Sequence, residues 1–238
     1  LQLRGGTTSE HSSFTGAARE VTVDTTKKTL VVHDGSQAGG TPLMKESGGT
    51  TDATINGINI GKGANGVFGN TVLGSAALDA AVTGNLNTAI GRATLTNNTS
   101  GTRNTAVGGQ SLDSNTTGSD NIAVGVDALG VNTSGTSNVA VGNFALDANT
   151  TGGSNVAIGA QVLGDNTTGN SNVGVGYFAL KDCETATGVV GVGTQSLENN
   201  TTGDYNTAVG HSPLADNTTG TQNVAIGAFA LDANTTAS

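Results

Sequence analysis

The sequence has few aromatic residues, little charge and almost no cysteine. Aromatic side chains make up 3% of the 238 residues and charged ones 11%, and there is one cysteine and no tryptophan. A globular enzyme of this length normally carries more large apolar side chains in its core. These shortages therefore argue against an ordinary globular enzyme.

Long apolar runs and an excess of positive charge are also missing. No run approaches the ~20 residues that a membrane-spanning helix needs, and the formal net charge is −9. An acidic chain is a poor partner for nucleic acid or for an anionic membrane. We therefore expect neither nucleic-acid binding nor membrane insertion, and nothing in the sequence indicates a cofactor or a metal site.

Glycine, by contrast, is abundant (38 residues) and recurs in a repeat of 17 residues. Each repeat opens with a pentad of the form Asn-x-Ala-Val/Ile-Gly, and a leucine always stands four residues after the glycine. We number the positions of a repeat 1 to 17 from the first residue of the pentad. The ten pentads begin at Asn70, Asn87, Asn104, Asn121, Asn138, Asn155, Asn172, Val189, Asn206 and Asn223. Such constant spacing is typical of one structural unit stacked along an axis. A disordered chain has no reason to keep a constant spacing between its apolar residues.

The repeat predicts one coil of a parallel β-solenoid. In the repeat that begins at Asn138, extended runs at 139–141 and 144–146 flank Gly142, and a second turn follows at 149–152. The glycine content and the missing 3.6-residue period argue against an α-helix. We predict an all-β fold, with ten coils (a β-roll) over residues 70–238 and a length of roughly 50 Å.

Two positions of the pentad strand are restricted, which indicates an oligomer. Position 4 is always aliphatic, and position 3 is always small and usually alanine, with Val72, Gly174 and Gly191 as the exceptions. Neighbouring strand residues point to opposite faces, so both faces are restricted, whereas a lone solenoid needs only one packed face. We place the alanines at a tight oligomer axis. The residues expected at the axis or in coil packing are Ala106, Ala123, Ala140, Ala157, Val107, Val124, Val141, Leu112, Leu129 and Leu146.

Other positions vary freely from coil to coil and are expected to face solvent. They are the two positions after the pentad glycine and the two before each pentad. A receptor-contacting surface would draw on the large residues among them; the alternative is that each phenylalanine covers a neighbouring coil or subunit. These candidates are Phe144, Tyr177, Phe178, Tyr205, His211 and Phe229.

One coil departs from the repeat. Cys183 replaces the turn asparagine, Ala186 the turn glycine and Val189 the pentad asparagine. We expect a local bulge or kink there. Cys183 is interpreted as an unpaired small side chain, with an inter-subunit crosslink or a reactive thiol as the alternative.

The first 48 residues carry a different pattern. Strand signals lie at residues 1–8, 20–24 and 29–35, and Lys27 and Lys28 fall in the turn of a predicted hairpin. The run LRGGTTSEHSSFTGAAREVTVD at 3–24 and the run LVVHDGSQAGGTPL at 30–43 closely resemble the N-terminal domain of the phage major tropism determinant. That resemblance implies an intertwined trimeric β-prism of the kind that opens many tail-fibre proteins.

The 17-residue repeats resemble the heads of YadA-type trimeric autotransporter adhesins, whose cycle is usually shorter, and repeats of cyanophage tail fibres. Together the resemblances imply a homotrimer with a β-prism-like module at 1–48, a joint and solenoid cap at 49–69, and the solenoid at 70–238. The cap would be the pentad-like element at 58–61.

The expected protein is a non-enzymatic component of a phage tail fibre, located on the virion and outside the cell. Its partners would be further copies of the chain, other tail or baseplate proteins bound through the N-terminal module, and a glycan or protein receptor on the bacterial surface. The alternative is the head of a trimeric adhesin on the bacterial outer surface.

Two remote alternatives remain open. A polysaccharide-cleaving fibre enzyme would need paired carboxylates in one cleft, whereas the acidic residues here recur at position 10 and suggest a solvated edge. These are Asp79, Asp113, Asp147, Glu198 and Asp232. An ice-binding solenoid would need free hydroxyls on its threonine ladder, which we expect instead to bond backbone groups. That ladder contains Thr116, Thr133, Thr150, Thr167, Thr201, Thr218 and Thr235.

Overall fold

A computed structural model describes residues 4–7, 9, 20–25, 29–33, 41–42, 53–55 and 58–238. Within them lie sixteen strands and a short 3-10 helix at Ala64–Gly66. The chain divides into two compact units, Leu1–Ala53 and Thr54–Ser238. The all-β prediction is confirmed.

The first unit contains a four-stranded sheet in the order β1-β2-β3-β4. Its strands are β1 (Arg4–Gly6), β2 (Glu20–Asp24), β3 (Thr29–His33) and β4 (Thr41–Pro42). Strand β1 runs parallel to β2, and β2 and β3 form the expected antiparallel hairpin, with Val21 opposite Val32. The predicted turn at Lys27 and Lys28 lies outside the described residues.

The second unit is a parallel β-solenoid, as predicted, with one strand in each repeat. Every strand from β7 to β16 pairs in parallel with the equivalent strand one repeat away, so that Val139 lies opposite Val156. Strand β6 (Ile58–Gly61) pairs antiparallel with β7 at the first end of this sheet, and β5 (Ala53–Ile55) lies beyond it. The ten repeat strands are β7 (Thr71–Gly74), β8 (Thr88–Ile90), β9 (Thr105–Val107), β10 (Ile122–Val124), β11 (Val139–Val141), β12 (Val156–Ile158), β13 (Val173–Val175), β14 (Val190–Val192), β15 (Thr207–Val209) and β16 (Val224–Ile226).

The second extended run predicted in each coil is not a strand. In the coil that begins at Asn138, Phe144 and Leu146 have left-handed backbone conformations, with φ of 58° and 52°. Their amides still bond neighbouring coils: Phe144 N donates to Val126 O at 2.9 Å and Leu146 N to Val162 O at 3.0 Å. The segment therefore satisfies its backbone by stacking while it curves, which an extended run could not do.

The apolar core of the solenoid is built from the leucine at position 9 and the mostly small residues at positions 3 and 8, such as Ala140, Ala145 and Leu146 in one coil. Nine of the ten position-9 leucines, from Leu78 to Leu214, are fully buried. Each left-handed leucine costs roughly 1–2 kcal/mol of backbone strain, and burial of its side chain contributes about 1.5–3 kcal/mol. The leucine ladder therefore tolerates a conformation that leucine would otherwise avoid.

Two ladders of buried asparagine fill the remaining interior. At position 12, the Asn149 side-chain amide donates to Oδ1 of Asn132 at 2.8 Å and to Gly152 O at 3.1 Å. At position 1, Asn155 N donates to Oδ1 of Asn138 at 3.0 Å. Buried amides are stable only when they are hydrogen-bonded, and the 17-residue spacing gives each asparagine a partner in the adjacent coil.

The divergent coil keeps its register, so the predicted bulge or kink is absent. Strand β14 pairs with β13 and β15 residue for residue, with Gly191 opposite Gly174 and Ala208. Cys183 and Val189 are fully buried in the places of the missing asparagines. The stacking hydrogen bonds of the backbone hold this coil in line because they do not depend on the side chains.

Candidate functional site

The outer surface of the solenoid has two distinct features on either side of a glycine corner. The corner is position 5, where Gly142 has φ of 140° and where an added Cβ would overlap the carbonyl oxygen of Gly159. Before the corner lies what we call the flat face, made of the outward side chains at positions 2 and 4 of strands β7 to β16. After it lies what we call the ridge, positions 6 and 7 of each coil.

The flat face is made of valine, isoleucine, leucine and threonine side chains and is open to solvent in the single chain. Its position-4 column includes Val124, Val141 and Ile158, which are 37%, 36% and 42% exposed. Position 2 is always threonine, valine or isoleucine, as at Ile122 and Val139. Sequence reasoning missed this second column, although its restriction to β-branched residues in all ten repeats was the signal.

The structure reverses the expected orientation of the strand's two faces. The alanines Ala106, Ala123, Ala140 and Ala157 are fully buried inside the coil of a single chain, beside Leu112, Leu129 and Leu146. They do not face an axis between copies. Coil packing of these alanines and leucines is as expected, whereas Val107, Val124 and Val141 point outward. The alanine must be small because the interior of the coil is narrow, not because another chain approaches.

The ridge carries most of the candidate receptor-facing residues. The rings of Tyr177 and Phe178 stack at 3.9 Å with 27° between their planes, and His211 meets Phe229 edge-to-face at 5.2 Å. Phe144 is exposed at the same position as Phe178 and Phe229.

Tyr205 is not part of this group. It stands at position 17, before the flat face, and its ring lies beside Gly188 one coil away. The structure therefore brings five of the six candidates onto one ridge and separates the sixth from them.

The threonine ladder is occupied by backbone contacts, as expected. Thr150 Oγ1 donates to Thr167 O at 3.0 Å, and Thr133 Oγ1 donates to Thr150 O at the same distance. A hydroxyl that donates to the next coil has no proton left with which to organise external water. The ladder thus gives no support to an ice-binding surface.

The acidic residues form an edge and not a cleft. Asp79 and Asp232 are exposed, and burial raises the pKa of the half-buried Asp147, with smaller contributions from Asp165 and Asp127. In the part of the chain that the structure describes, no group of three or more His, Cys, Asp or Glu residues could hold a metal ion. His11 lies outside that part.

The charged pairs on the surface link neighbouring coils. Arg103 Nε donates to Asp120 Oδ1 at 2.6 Å, and this hydrogen bond lowers the pKa of the Asp120 carboxyl. Lys181 lies between Asp182 and Asp165, and its hydrogen bond to Asp182 raises the pKa of its amine. Exposed pairs of this kind contribute little to stability.

Among the described residues, no helix has the length and apolarity required to cross a membrane.

Comparison with known proteins links the first unit to phage tail fibres. Residues 1–37 match the family model of the major tropism determinant N-terminal domain. A tail fiber receptor-binding protein of Bordetella phage BPP-1 is 67% identical over 45 residues, which is 19% of this chain and 12% of that protein. The matched segment is therefore a small part of the relative. No solved structure matches the chain.

Proposed function

We propose that this chain is a structural and adhesive component of a phage tail fibre, attached to the virion through its N-terminal unit and displaying its solenoid to a host receptor. The observation that carries the proposal is the N-terminal match: residues 1–37 fit the tropism-determinant domain, and a phage receptor-binding protein shares 67% identity there. That match favours a virion over a bacterial surface. The stacked coils supply reach and a repeated outer surface, and the role is structural rather than enzymatic.

The fibre is a homotrimer in this proposal, with the flat face as the contact between copies. The face has no charged side chain at positions 2 and 4 in any coil. Strands of three residues in ten layers give it an extent of roughly 10 Å by 45 Å. Apolar area of this size is costly to expose to water.

A second copy of the chain is the occupant that fits this face best. Its coils repeat with the same spacing, so the side chains of one copy meet equivalent gaps of another in every layer. An unrelated partner would need the same period along its whole length. Three copies around one axis would shield each flat face against its two neighbours.

The proposal is tested by immunogold electron microscopy with an antibody against this chain. Phage particles and uninfected bacteria from the same source are labelled side by side. Gold on the tail fibres or baseplate of the particles is the expected result. Gold on uninfected cells and none on particles would overturn the virion assignment in favour of a bacterial adhesin.

A further inference from the structure

Between the coil that begins at Asn138 and the coil that begins at Asn206, aromatic side chains occupy the ridge in every second coil. Phe144 belongs to the coil that begins at Asn138, Tyr177 and Phe178 to the one two coils later, and His211 to the one two coils after that. Coils stack at about 4.8 Å, so these three aromatic stations are about 10 Å apart. Phe229 lies in the coil directly after His211, outside the two-coil spacing, and its ring meets His211 edge-to-face at 5.2 Å.

The two coils between the stations carry a glutamine at position 7 instead of a ring. Gln161 and Gln195 are both partly exposed there. The Gln195 amide nitrogen donates to Glu198 Oε2 at 2.8 Å, which orients the amide group. Its carbonyl oxygen can still accept a hydrogen bond from a ligand. Rings and amides therefore alternate along the ridge.

The ridge is open in the single chain. The glycine corner at position 5 separates it from the flat face, and Tyr177 is 51% exposed. Aromatic rings gathered on one exposed surface are typical of an interaction site. Their alternation with amides indicates a ligand whose apolar faces and hydrogen-bonding groups alternate with the same spacing.

We propose, on the basis of the function proposed above, that the receptor is a neutral, extended, β-1,4-linked glycan. This glycan lies along the ridge, parallel to the solenoid axis. Alternate sugars stack on the rings of Phe144, Tyr177 and His211, and the intervening sugars meet Gln161 and Gln195. The apolar C–H face of a β-linked sugar is attracted to the negative face of an aromatic ring. The disaccharide repeat of such a chain has a length close to the two-coil spacing.

Charge selects a neutral glycan over an acidic one. Glu198 contacts the ridge through Gln195, and Asp147 and Asp165 stand on the adjacent position-10 and position-11 edge. Carboxylates beside a binding surface disfavour a polyanion through like-charge repulsion. A glycan of uronic acids or sialic acids would therefore bind more weakly than an uncharged one.

The test is isothermal titration calorimetry of the full chain with chito-, cello- and manno-oligosaccharides of two to six sugars, which are neutral and β-1,4-linked. A trisaccharide spans two stations and a pentasaccharide three. At least one series should gain about three- to tenfold in affinity at the third sugar and again at the fifth. The second and fourth sugars should add little. Failure of all three series to bind overturns the proposal.

A matched variant separates the spacing from the mere presence of aromatic rings. The double variant Phe144→Ala/Gln161→Phe moves one ring by a single coil and keeps the number of rings. The gain in affinity at the fifth sugar, which requires all three stations, should therefore disappear. Phe68→Ala removes an aromatic side chain that is 83% exposed but outside the ridge, and binding should not change. Equal affinities of the double variant and the wild type would contradict the two-coil register.

Failure of this inference is distinguishable from failure of the proposed function. Gold on virion fibres together with no binding of any neutral oligosaccharide would leave the fibre assignment standing and point to a protein receptor. Digestion of host-cell glycans with chitinase, cellulase and β-mannanase should abolish attachment of the labelled chain, whereas protease treatment of the cells should not. The reverse pattern overturns the glycan proposal.

Discussion

The buried side-chain oxygen of Asn166 receives no hydrogen bond, because Cys183 stands one coil further on where the ladder requires an asparagine. In the preceding coils every such oxygen accepts from the next amide, as Asn132 does from Asn149 at 2.8 Å. A buried acceptor without a donor lowers stability. The interruption therefore marks a weak layer in an otherwise continuous stack.

Restoring the ladder should stabilise the solenoid. An added Cβ at Gly152 would overlap Oδ1 of Asn149 at 2.5 Å, so an asparagine at 183 also requires glycine at 186. Cys183→Asn/Ala186→Gly gives Asn166 its missing donor and should exceed the matched control Cys183→Ala/Ala186→Gly, which supplies no donor, by about 1 kcal/mol in free energy of unfolding. Urea denaturation of both variants checks this. Equal unfolding midpoints for the two variants would show that the orphan oxygen has no energetic effect.

Stability should depend on the Cys183 thiol at alkaline pH. Burial raises the pKa of this thiol from its ordinary value of 9.0 to about 12. Between these values the unfolded chain releases a proton that the folded chain keeps, so stability falls as pH rises, by at most ~1.4 kcal/mol per pH unit. Below pH 9 the thiol is protonated in both states and has no such effect.

The measurement compares wild type with Cys183→Ala at pH 8 and pH 10. The wild type should lose about 1 kcal/mol more than the variant over this interval. The same burial should leave the native thiol unreactive towards iodoacetamide until the chain unfolds. Rapid alkylation of the folded protein would place the thiol at the surface.

The leucine ladder should reject β-branched residues. Leu146 is fully buried with φ of 52°, and a β-branched side chain strongly disfavours that conformation. Leu146→Ile should therefore cost clearly more than the ~1.5 kcal/mol upper bound for a volume-conserving core exchange. Leu146→Met, which is unbranched at Cβ, is the control and should stay within that bound. Thermal unfolding of the two variants decides between strain and packing volume, and equal losses would exclude strain.

The two faces of the strand should respond differently to substitution. Val141→Lys places a charge on the flat face, and it should dissociate the proposed trimer and leave each chain folded. Ala140→Leu adds bulk inside the narrow coil and should cost well over 1 kcal/mol, or prevent folding, in any oligomeric state. Light scattering after size exclusion gives the oligomeric state, and circular dichroism reports folding.

A lysine placed away from the flat face separates the effect of the site from the effect of the added charge. Ser134→Lys adds the same charge at an exposed turn away from the flat face and should change neither property. An Ala140→Leu protein that folds but dissociates would restore the assignment of alanine to the axis. A Val141→Lys protein that keeps its mass in solution would remove the flat face from the interface.

The sequence by itself determined the architecture of the solenoid. Every repeat has its leucine and nearly every one its asparagine at the same place, and a 17-residue period is the spacing at which those residues meet their own copies in the next coil. The all-β fold, the coil length and the role of the threonine hydroxyls followed from that periodicity. The hairpin of β2 and β3 followed from ordinary strand and turn signals.

Only the tertiary structure decided which face of each strand is inside and what conformation the second half of the coil takes. Ala140 and Val141 are both apolar, so their order along the chain does not show which one the coil encloses. Leu146 favours no left-handed conformation on its own; it adopts one because its amide bonds Val162 O and its side chain fills the core. Both features depend on contacts with neighbouring coils, and a local pattern does not contain them.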